Sequence, residues 1–443
     1  MTMRPNAREQ PGSLDLDAEW IERIDDDPVE RMTAASVKIR VGEIVATEVE
    51  DVIARTVRDH VRVSANLFAS WLAGNWWRLR WEPQSDSLGW QMTHCTAAIG
   101  FGYSWPNLTF DSDGESIRVV GRPTTRFGTV RYLTNLEEVV PATIFENAID
   151  RLLETVTQRL CAVGCSDAPL VQLWREVLEE RHDTAATNYR RLEAMAGFDP
   201  DEAPEEVIEE ALALSSDVGG AAMRELAAAS GGELAAAAEQ ALAAVESASA
   251  HVSFQKGIVQ RFEEDVRPIA GERPWVLGYR TAESYRRKLG VGARPLRDHA
   301  FAAVFGLDEA ILLSASVEKT PIGVAVRDDA SPDDLRVVLA RRHPHARRFE
   351  LARMLGDHVG RYSVGDKLLP VTRSRTARQK AQRAFAAEFL CPIAGLRERF
   401  DDRTPDEDDI QSAADDYGVS EQVVVDQWRN RGPDAERSGG QRW

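Results

Sequence analysis

The spacing of apolar residues changes along the chain, and this change constrains the fold more than any other feature of the sequence. In residues 36–45, 75–82 and 115–120, apolar and polar residues alternate, which is typical of half-buried strands. Residues 139–160 instead carry apolar residues at helical spacing. Residues 35–165 are therefore predicted to form a Trp-rich α+β domain.

The rest of the chain is predicted to be mainly helical, which gives an α+β multidomain protein with a helical middle. Alanine dominates residues 221–244 and has the highest intrinsic helix propensity. Further helical patterns flank one predicted strand near residues 323–326. We expect six parts: an acidic mobile leader (1–34) with a short helix near Trp20, the Trp-rich domain (35–165), an alanine-rich helical region (166–268), a mostly helical module (270–400), a helix-turn-helix-like extension (401–432) and a tail (433–443).

Composition excludes several classes of protein. The chain has 443 residues, of which 43% are hydrophobic, so it can bury a sizeable core and is not disordered throughout. Its net charge of −18 does not suit a protein that coats nucleic acid. No apolar run approaches the ~18 residues that span a bilayer, and no secretory signal is recognised at the N-terminus. Four scattered cysteines favour reduced thiols, and hence a cytoplasmic location.

Three segments in the last third of the chain carry the most specific pattern. Residues Arg347–His358 have the sequence RRFELARMLGDH, residues Gln382–Pro392 have QRAFAAEFLCP, and a third segment spans Asp409–Val424. Over about residues 275–432, their order and content resemble the ImmA/IrrE metallopeptidase family. In that family the first helix typically has the sequence RRFTLAHELGH, and a later helix supplies an acidic third zinc ligand. The resemblance implies a zincin-like, mostly helical module.

The catalytic residues that the resemblance implies are replaced in this chain. The two histidines and the glutamate of the H-E-x-x-H motif, which bind zinc and act as general base, correspond to Arg353, Asp357 and Met354. Arginine has no lone pair for a metal, and methionine cannot act as a base. No acidic residue lies between Asp366 and Glu388, so the next helix also lacks a carboxylate ligand. We therefore predict no catalytic residues, no bound metal and no cofactor.

Two arrangements of this helix face remain open. Arg353 and Asp357 are one turn apart, so we expect them to form an ion pair, either buried in place of the metal or in solvent. A rewired metal site, built from His343, His345, His358 and Asp357, is less favoured. Its last two residues are adjacent, and adjacent side chains on a helix point about 100° apart.

Two groups of residues are candidates for binding a partner. Residues 341–383 hold 12 Lys and Arg against 3 Asp and Glu, a local charge of +9 that suits nucleic acid or an acidic protein. Alternatively, these cations lie on solvated helix faces or pair with acidic residues elsewhere. The tryptophans of the first domain line a pocket or form its core. The candidate partner-binding residues are Trp71, Trp76, Trp77, Trp81, Arg347, Arg348, Arg378 and Arg383.

The resemblance and the lost motif together suggest a catalytically inactive, ImmA/IrrE-like regulatory or sensor protein. Active members of the family cleave repressors or antitoxins that govern stress responses and mobile elements. This chain is therefore expected to bind a protein partner, such as a repressor or an antitoxin-like regulator. The alternatives are an active zinc metallo-endopeptidase with substituted ligands, and a transcriptional regulator that binds nucleic acid through residues 341–383.

Overall fold

The chain divides into two compact units, Met1–Glu205 (unit 1) and Glu206–Trp443 (unit 2). In the part of the chain that the structure describes, 17 α-helices and 14 β-strands give a mixed α+β protein with small antiparallel sheets. None of these helices is both long enough and apolar enough to span a membrane. A computed structural model describes residues 12–22, 27–124, 128–237, 239, 243, 250–253, 269, 271–313, 322–328, 334–433 and 435.

Unit 1 contains three small sheets and seven helices within its described residues. Its sheets have the orders β1-β2-β3 (with β6 also on β2), β10-β8-β7 and β5-β4-β9, and every pairing is antiparallel. The strands are β1 (Leu14–Trp20), β2 (Ala34–Val41), β3 (Ile44–Val45), β4 (Val49–Asp51), β5 (Thr56–Arg58), β6 (Val61–Ser64), β7 (Asn107–Ser112), β8 (Ser116–Arg122), β9 (Val130–Tyr132) and β10 (Leu136–Pro141). The helices are α1 (Pro28–Met32), α2 (Ala65–Gly74), α3 (Trp76–Trp81), α4 (Leu88–His94), α5 (Ala142–Ala162), α6 (Pro169–His182) and α7 (Thr184–Met195).

Three sequence predictions for unit 1 are wrong. The supposed mobile leader contains β1, which pairs with β2 along its whole length, so there is no helix at Trp20. Leu14 and Leu16 of this strand are buried, and acidic residues alternate with them. Residues 76–81 form helix α3 rather than a strand. Five of the six side chains of this helix are buried, whereas a half-buried strand would bury only every second residue. The predicted boundary at 165 is displaced to 205, since α6 contributes Leu170 and Trp174 to the same core as the preceding domain.

Unit 2 combines a four-stranded antiparallel sheet, of order β11-β13-β12-β14, with ten helices in its described residues. The strands are β11 (Ala250–Ser253), β12 (Gly323–Arg327), β13 (Asp334–Val338) and β14 (Leu368–Val371). The helices are α8 (Glu205–Val218, which begins at the boundary), α9 (Gly220–Ser230), α10 (Pro274–Lys288), α11 (Asp298–Phe305), α12 (Glu309–Leu313), α13 (Pro344–His358), α14 (Ala377–Leu390), α15 (Ile393–Phe400), α16 (Glu407–Tyr417) and α17 (Glu421–Arg431).

Helix α14 is the centre of unit 2 and is buried at nearly every position. Two glycines allow its neighbours to approach closely. A Cβ atom at Gly278 of α10 would collide with the carbonyl oxygen of Ala381, and one at Gly356 of α13 would lie 2.6 Å from the ring of Phe385. Helices α13 and α14 therefore pack closely, and their facing side chains form the candidate site.

Several predictions for unit 2 are confirmed by the structure. The strand predicted near residues 323–326 is β12, and the helices predicted at 345–359 and 376–390 are α13 and α14. The predicted helical pair after residue 410 is α16 and α17, separated by Gly418 at a φ of 62°. The acidic loop is shorter than expected, because Asp406 caps α16 in a capping box and the helix begins at Glu407. Residues 244–249, 254–268 and 436–443, parts of the predicted alanine-rich region and tail, lie outside the described residues.

Candidate functional site

The candidate site lies between helices α13 and α14. Arg353 and Asp357 of α13 are both buried, with 7% and 2% of their surfaces exposed. Met354, between them in sequence, is buried in the apolar core of unit 2. The polar side chains of α14 that reach toward this face are Arg378, Gln379 and Gln382.

Asp357 forms its ion pair with Arg378 rather than with Arg353. Nη2 of Arg378 lies 2.6 Å from Oδ2 of Asp357, and Nε lies 2.9 Å from Oδ1. The remaining nitrogen, Nη1, donates to Oδ2 of Asp366 at 2.7 Å. Burial disfavours the charge of Arg378, but these carboxylates outweigh that effect and raise its pKa. The predicted Arg353–Asp357 pair is therefore wrong, because a planar guanidinium from α14 makes a two-pronged contact with the carboxylate.

Arg353 is bound by neutral oxygen atoms. Its Nη2 donates to the carbonyl oxygen of Thr372 at 2.8 Å and to the side-chain oxygens of Gln379 and Gln382. Both glutamines donate their amide nitrogens to the carbonyl oxygen of Pro370, which fixes their orientation. Burial, followed by the nearby charge of Arg383, lowers the pKa of Arg353 to about 9.

The residues at this site do not fit a zinc ion. A catalytic zinc site needs three protein ligands with available lone pairs. Arg353 has none, and both carboxylate oxygens of Asp357 accept hydrogen bonds from Arg378. Among the described residues, no group of three His, Cys, Asp or Glu side chains could hold a metal ion.

The histidines of the alternative metal site are divided between the two ends of α13. His343 and His345, whose ring centroids are 5.0 Å apart, lie at its start. His358 lies at its end, about 20 Å from His345 at 1.5 Å per residue. There its Nδ1 accepts a hydrogen bond from Nε of Arg327 at 3.4 Å. Burial and the charge of Arg327 lower the pKa of His358 to about 3. The structure therefore does not assemble this alternative site.

Five of the 12 cations in the predicted basic patch are buried inside unit 2. Arg347, Arg348, Arg353, Arg378 and Lys380 are buried, whereas Arg383 is half-buried. Arg348 contacts Asp298 and the carbonyl oxygen of Leu296, and it lies over the ring of Phe301. The exposed cations of this segment that the structure describes are Arg342, Arg373 and Arg375. A surface for nucleic acid therefore loses five of its expected positive charges.

The candidate tryptophans of unit 1 belong mainly to its core. Trp76 and Trp77 are buried, and Nε1 of Trp77 donates to Glu180 at 2.8 Å. Trp81 is half-buried between two guanidinium groups, those of Arg80 and Arg191, each 3.6 Å from its ring centroid. Trp71 is half-buried and stacks on Phe68. These contacts favour the core interpretation over an open pocket.

The helical pair at the end of unit 2 uses its polar residues internally. Gln427 of α17 donates to Oε2 of Glu388 and to the carbonyl oxygen of Cys391, both at 2.9 Å. Arg431 contacts Glu388 and donates to Glu283. Because Gln427 and Arg431 contact residues inside unit 2, these two side chains do not point outward to contact bases in a DNA groove.

Sequence reasoning missed two acidic residues of the site. Asp366 precedes β14, and Glu225 lies on α9, about 150 residues before the hydroxyl of Thr376 that donates to it at 2.7 Å. Such a long-range contact leaves no periodic signal in the sequence.

Comparisons with protein-family models, with curated proteins and with solved structures found no match.

Proposed function

We propose that residues 275–432 form a catalytically inactive ImmA/IrrE-like module, and that the chain is a regulatory or sensor protein that binds a protein partner. The observation that carries this proposal is the contact of Arg378 with Asp357 and Asp366. A guanidinium from the chain itself occupies the face where the resemblance implies a metal. We further propose a cytoplasmic location, with which four free cysteines agree.

The chemistry of the site supports an inactive module. Zinc peptidases depend on a metal that lowers the pKa of a bound water molecule to about 7. In this chain Met354 occupies the position where the family has its general base. The nearest acidic residue on the preceding turn of the helix is Glu350. Oε2 of Glu350 accepts a hydrogen bond from the backbone nitrogen of Arg341 at 3.2 Å, so this carboxylate is directed away from Asp357 and Arg378. These residues therefore provide neither a metal that could activate a water molecule nor a base that could remove its proton.

The alternatives have less support from the described residues. An active metallo-endopeptidase needs three ligands that this face does not offer. A nucleic-acid regulator needs exposed cations, and only three of the cations described in residues 341–383 are exposed, namely Arg342, Arg373 and Arg375. Binding of a protein partner requires neither, although the candidate residues proposed from the sequence are largely inside the two units.

The proposal is tested by isolating the tagged full chain from its native cells and analysing what elutes with it. We expect an intact protein partner in a fixed ratio to the chain, retained after nuclease treatment and identified by its full-length mass. A partner cut at one defined position would instead support the peptidase. Loss of all bound material after nuclease treatment would favour the nucleic-acid regulator.

A further inference from the structure

Helix α9 brings a buried carboxylate to the start of α14. Glu225, of which 5% is exposed, accepts a hydrogen bond from the hydroxyl of Thr376 at 2.7 Å and another from that of Ser374 at 3.5 Å. Arg378 and Arg383 of α14 interact favourably with the same carboxylate. Burying a carboxylate costs free energy unless such partners stabilise it. The start of α14 therefore offers polar groups that the chain satisfies with a side chain from a distant segment.

The start of α9 fits closely against the segment before β14. The backbone nitrogen of Ala221 donates to Oδ1 of Asp366 at 3.3 Å. A Cβ atom at Gly219 would lie 2.6 Å from Cα of Asp366, so only glycine permits this approach. The helix itself packs against β14, the last strand in the order β11-β13-β12-β14. We call the area that it covers, residues 366–371 and 374–376, the α9 contact surface.

Few large apolar contacts hold α9 in place. Five of its 11 residues are alanines, and its two large apolar side chains, Met223 and Leu226, are both buried. Neither of them belongs to the described apolar core that α10, α13 and α14 form. Because the stabilisation from burial follows the apolar area removed from water, an alanine-rich helix contributes little of it. Another helix of similar shape can therefore compete with α9 without opening that core.

We propose that the α9 contact surface is where the protein partner binds, and that the partner inserts a helix with one acidic residue among small side chains. This inference rests on the proposed function, which supplies the partner. In the free chain α9 occupies the surface, so the partner displaces it. The acidic residue of the partner takes the place of Glu225 against the hydroxyls of Ser374 and Thr376. Small neighbours permit the close approach that Gly219 makes to Asp366.

The test uses the full chain and a fluorescently labelled peptide of residues 219–232, which stands in for the partner helix. In wild type α9 competes with the peptide, so the apparent affinity falls with the fraction of chains whose surface is open. Leu226→Ser weakens the attachment of α9, and it should bind the peptide at least about tenfold more tightly than wild type. Ala229→Ser changes an exposed residue of the same helix and should leave the affinity unchanged.

A change in the peptide tests the carboxylate without altering the fold of the chain. The peptide with Glu225→Gln should bind the Leu226→Ser chain about tenfold more weakly, because hydrogen bonds to a charged group are the stronger ones. Equal affinity of the two peptides, or no gain of affinity in Leu226→Ser, would overturn the proposal. Dimerisation of Leu226→Ser in light scattering would assign the surface to a second copy of the chain and would also overturn it.

Hydrogen exchange of wild type is a second measurement and needs no variant. The amides of α9 should exchange at least about tenfold faster than those of α14, because α9 separates while the core stays folded. Equal protection of the two helices would contradict the proposal. Both measurements are made without the natural partner, so their failure leaves the capture of a partner from cells as an independent result.

Discussion

Asp357 and Arg378 form a buried ion pair between helices α13 and α14, with a shortest nitrogen–oxygen distance of 2.6 Å. Only 1% and 3% of these two side chains are exposed. Arg378 also contacts Asp366, so one guanidinium links two carboxylates from different parts of unit 2. In the proposed inactive module, this contact takes the place of a metal centre.

The first prediction concerns the strength of this pair. Asp357→Asn and Arg378→Gln should each destabilise the chain by about 3–5 kcal/mol, because each leaves a buried charge without its partner. The double variant should be less destabilised than the sum of the two changes. Equilibrium urea unfolding of the four chains in this double-mutant cycle measures the coupling free energy.

Two control cycles show whether the coupling is specific. The exposed pair Arg399–Asp416, with a distance of 2.7 Å, should have a coupling of less than about 1 kcal/mol. The pair Arg353–Asp357 should couple more weakly than Asp357–Arg378, because its members contact different partners. A larger coupling for Arg353–Asp357 would mean that the side chains are assigned to the wrong partners.

The second prediction concerns reconstruction of a zinc site. Arg353→His, Met354→Glu and Asp357→His restore the motif, but they leave Arg378 without Asp357 and next to the incoming metal. We expect this triple variant to bind zinc weakly and to cleave nothing, since a fixed cation opposes metal binding.

A substitution at position 382 should supply the third zinc ligand that the triple variant lacks. The side chain of Gln382 contacts Arg353, whereas Ala381 lies against Gly278 of α10. Adding Gln382→Glu should therefore raise zinc affinity more than adding Ala381→Glu. Competition with a chromophoric chelator measures both affinities. Proteolysis by the triple variant alone would show that the third ligand comes from elsewhere.

The sequence predicts the helices of the site better than it predicts their contacts. Helical periodicity locates α13 and α14 to within one or two residues, and the motif identifies Arg353, Met354 and Asp357 as the altered positions. Periodicity does not show which side chain of a neighbouring helix a residue meets. The sequence pattern therefore pairs Asp357 with Arg353 of the same helix, although its actual partner, Arg378, is 21 residues away in sequence.

The charge count of residues 341–383 is a poor guide to the protein surface for a related reason. Arginine is usually exposed, so a run of cations suggests a surface patch. In unit 2, carbonyl oxygens and acidic side chains satisfy Arg347, Arg348 and Arg378 inside the fold. In unit 1, the alternation of Leu14 to Trp20 was visible in the sequence, but its acidic residues concealed a strand.

The third prediction concerns pH and His358. Burial lowers its pKa to about 3 in the folded chain, against 6.5 in a solvated histidine. Its contribution to stability is therefore complete above pH 6.5 and is lost as the pH falls from 6.5 toward 3, because the unfolded chain then binds the extra proton.

Urea unfolding at several pH values between 7 and 4 measures this effect. Over this range the free energy of unfolding of wild type should fall faster than that of His358→Gln, by up to about 1.4 kcal/mol per pH unit. His343→Gln changes an exposed histidine at the other end of α13 and should retain the wild-type slope. Equal slopes for wild type and His358→Gln would indicate that His358 titrates normally.

The zinc content of the purified full chain tests the central claim most directly. The chain is produced in zinc-supplemented medium, freed of its affinity tag, and analysed for metal and for protein concentration in the same sample. Because Arg353 and Met354 replace the ligand and the base, and Arg378 engages Asp357, we predict far less than one zinc per chain and unchanged unfolding after treatment with a chelator. One tightly held zinc per chain, removed by the chelator with loss of stability, would contradict the account.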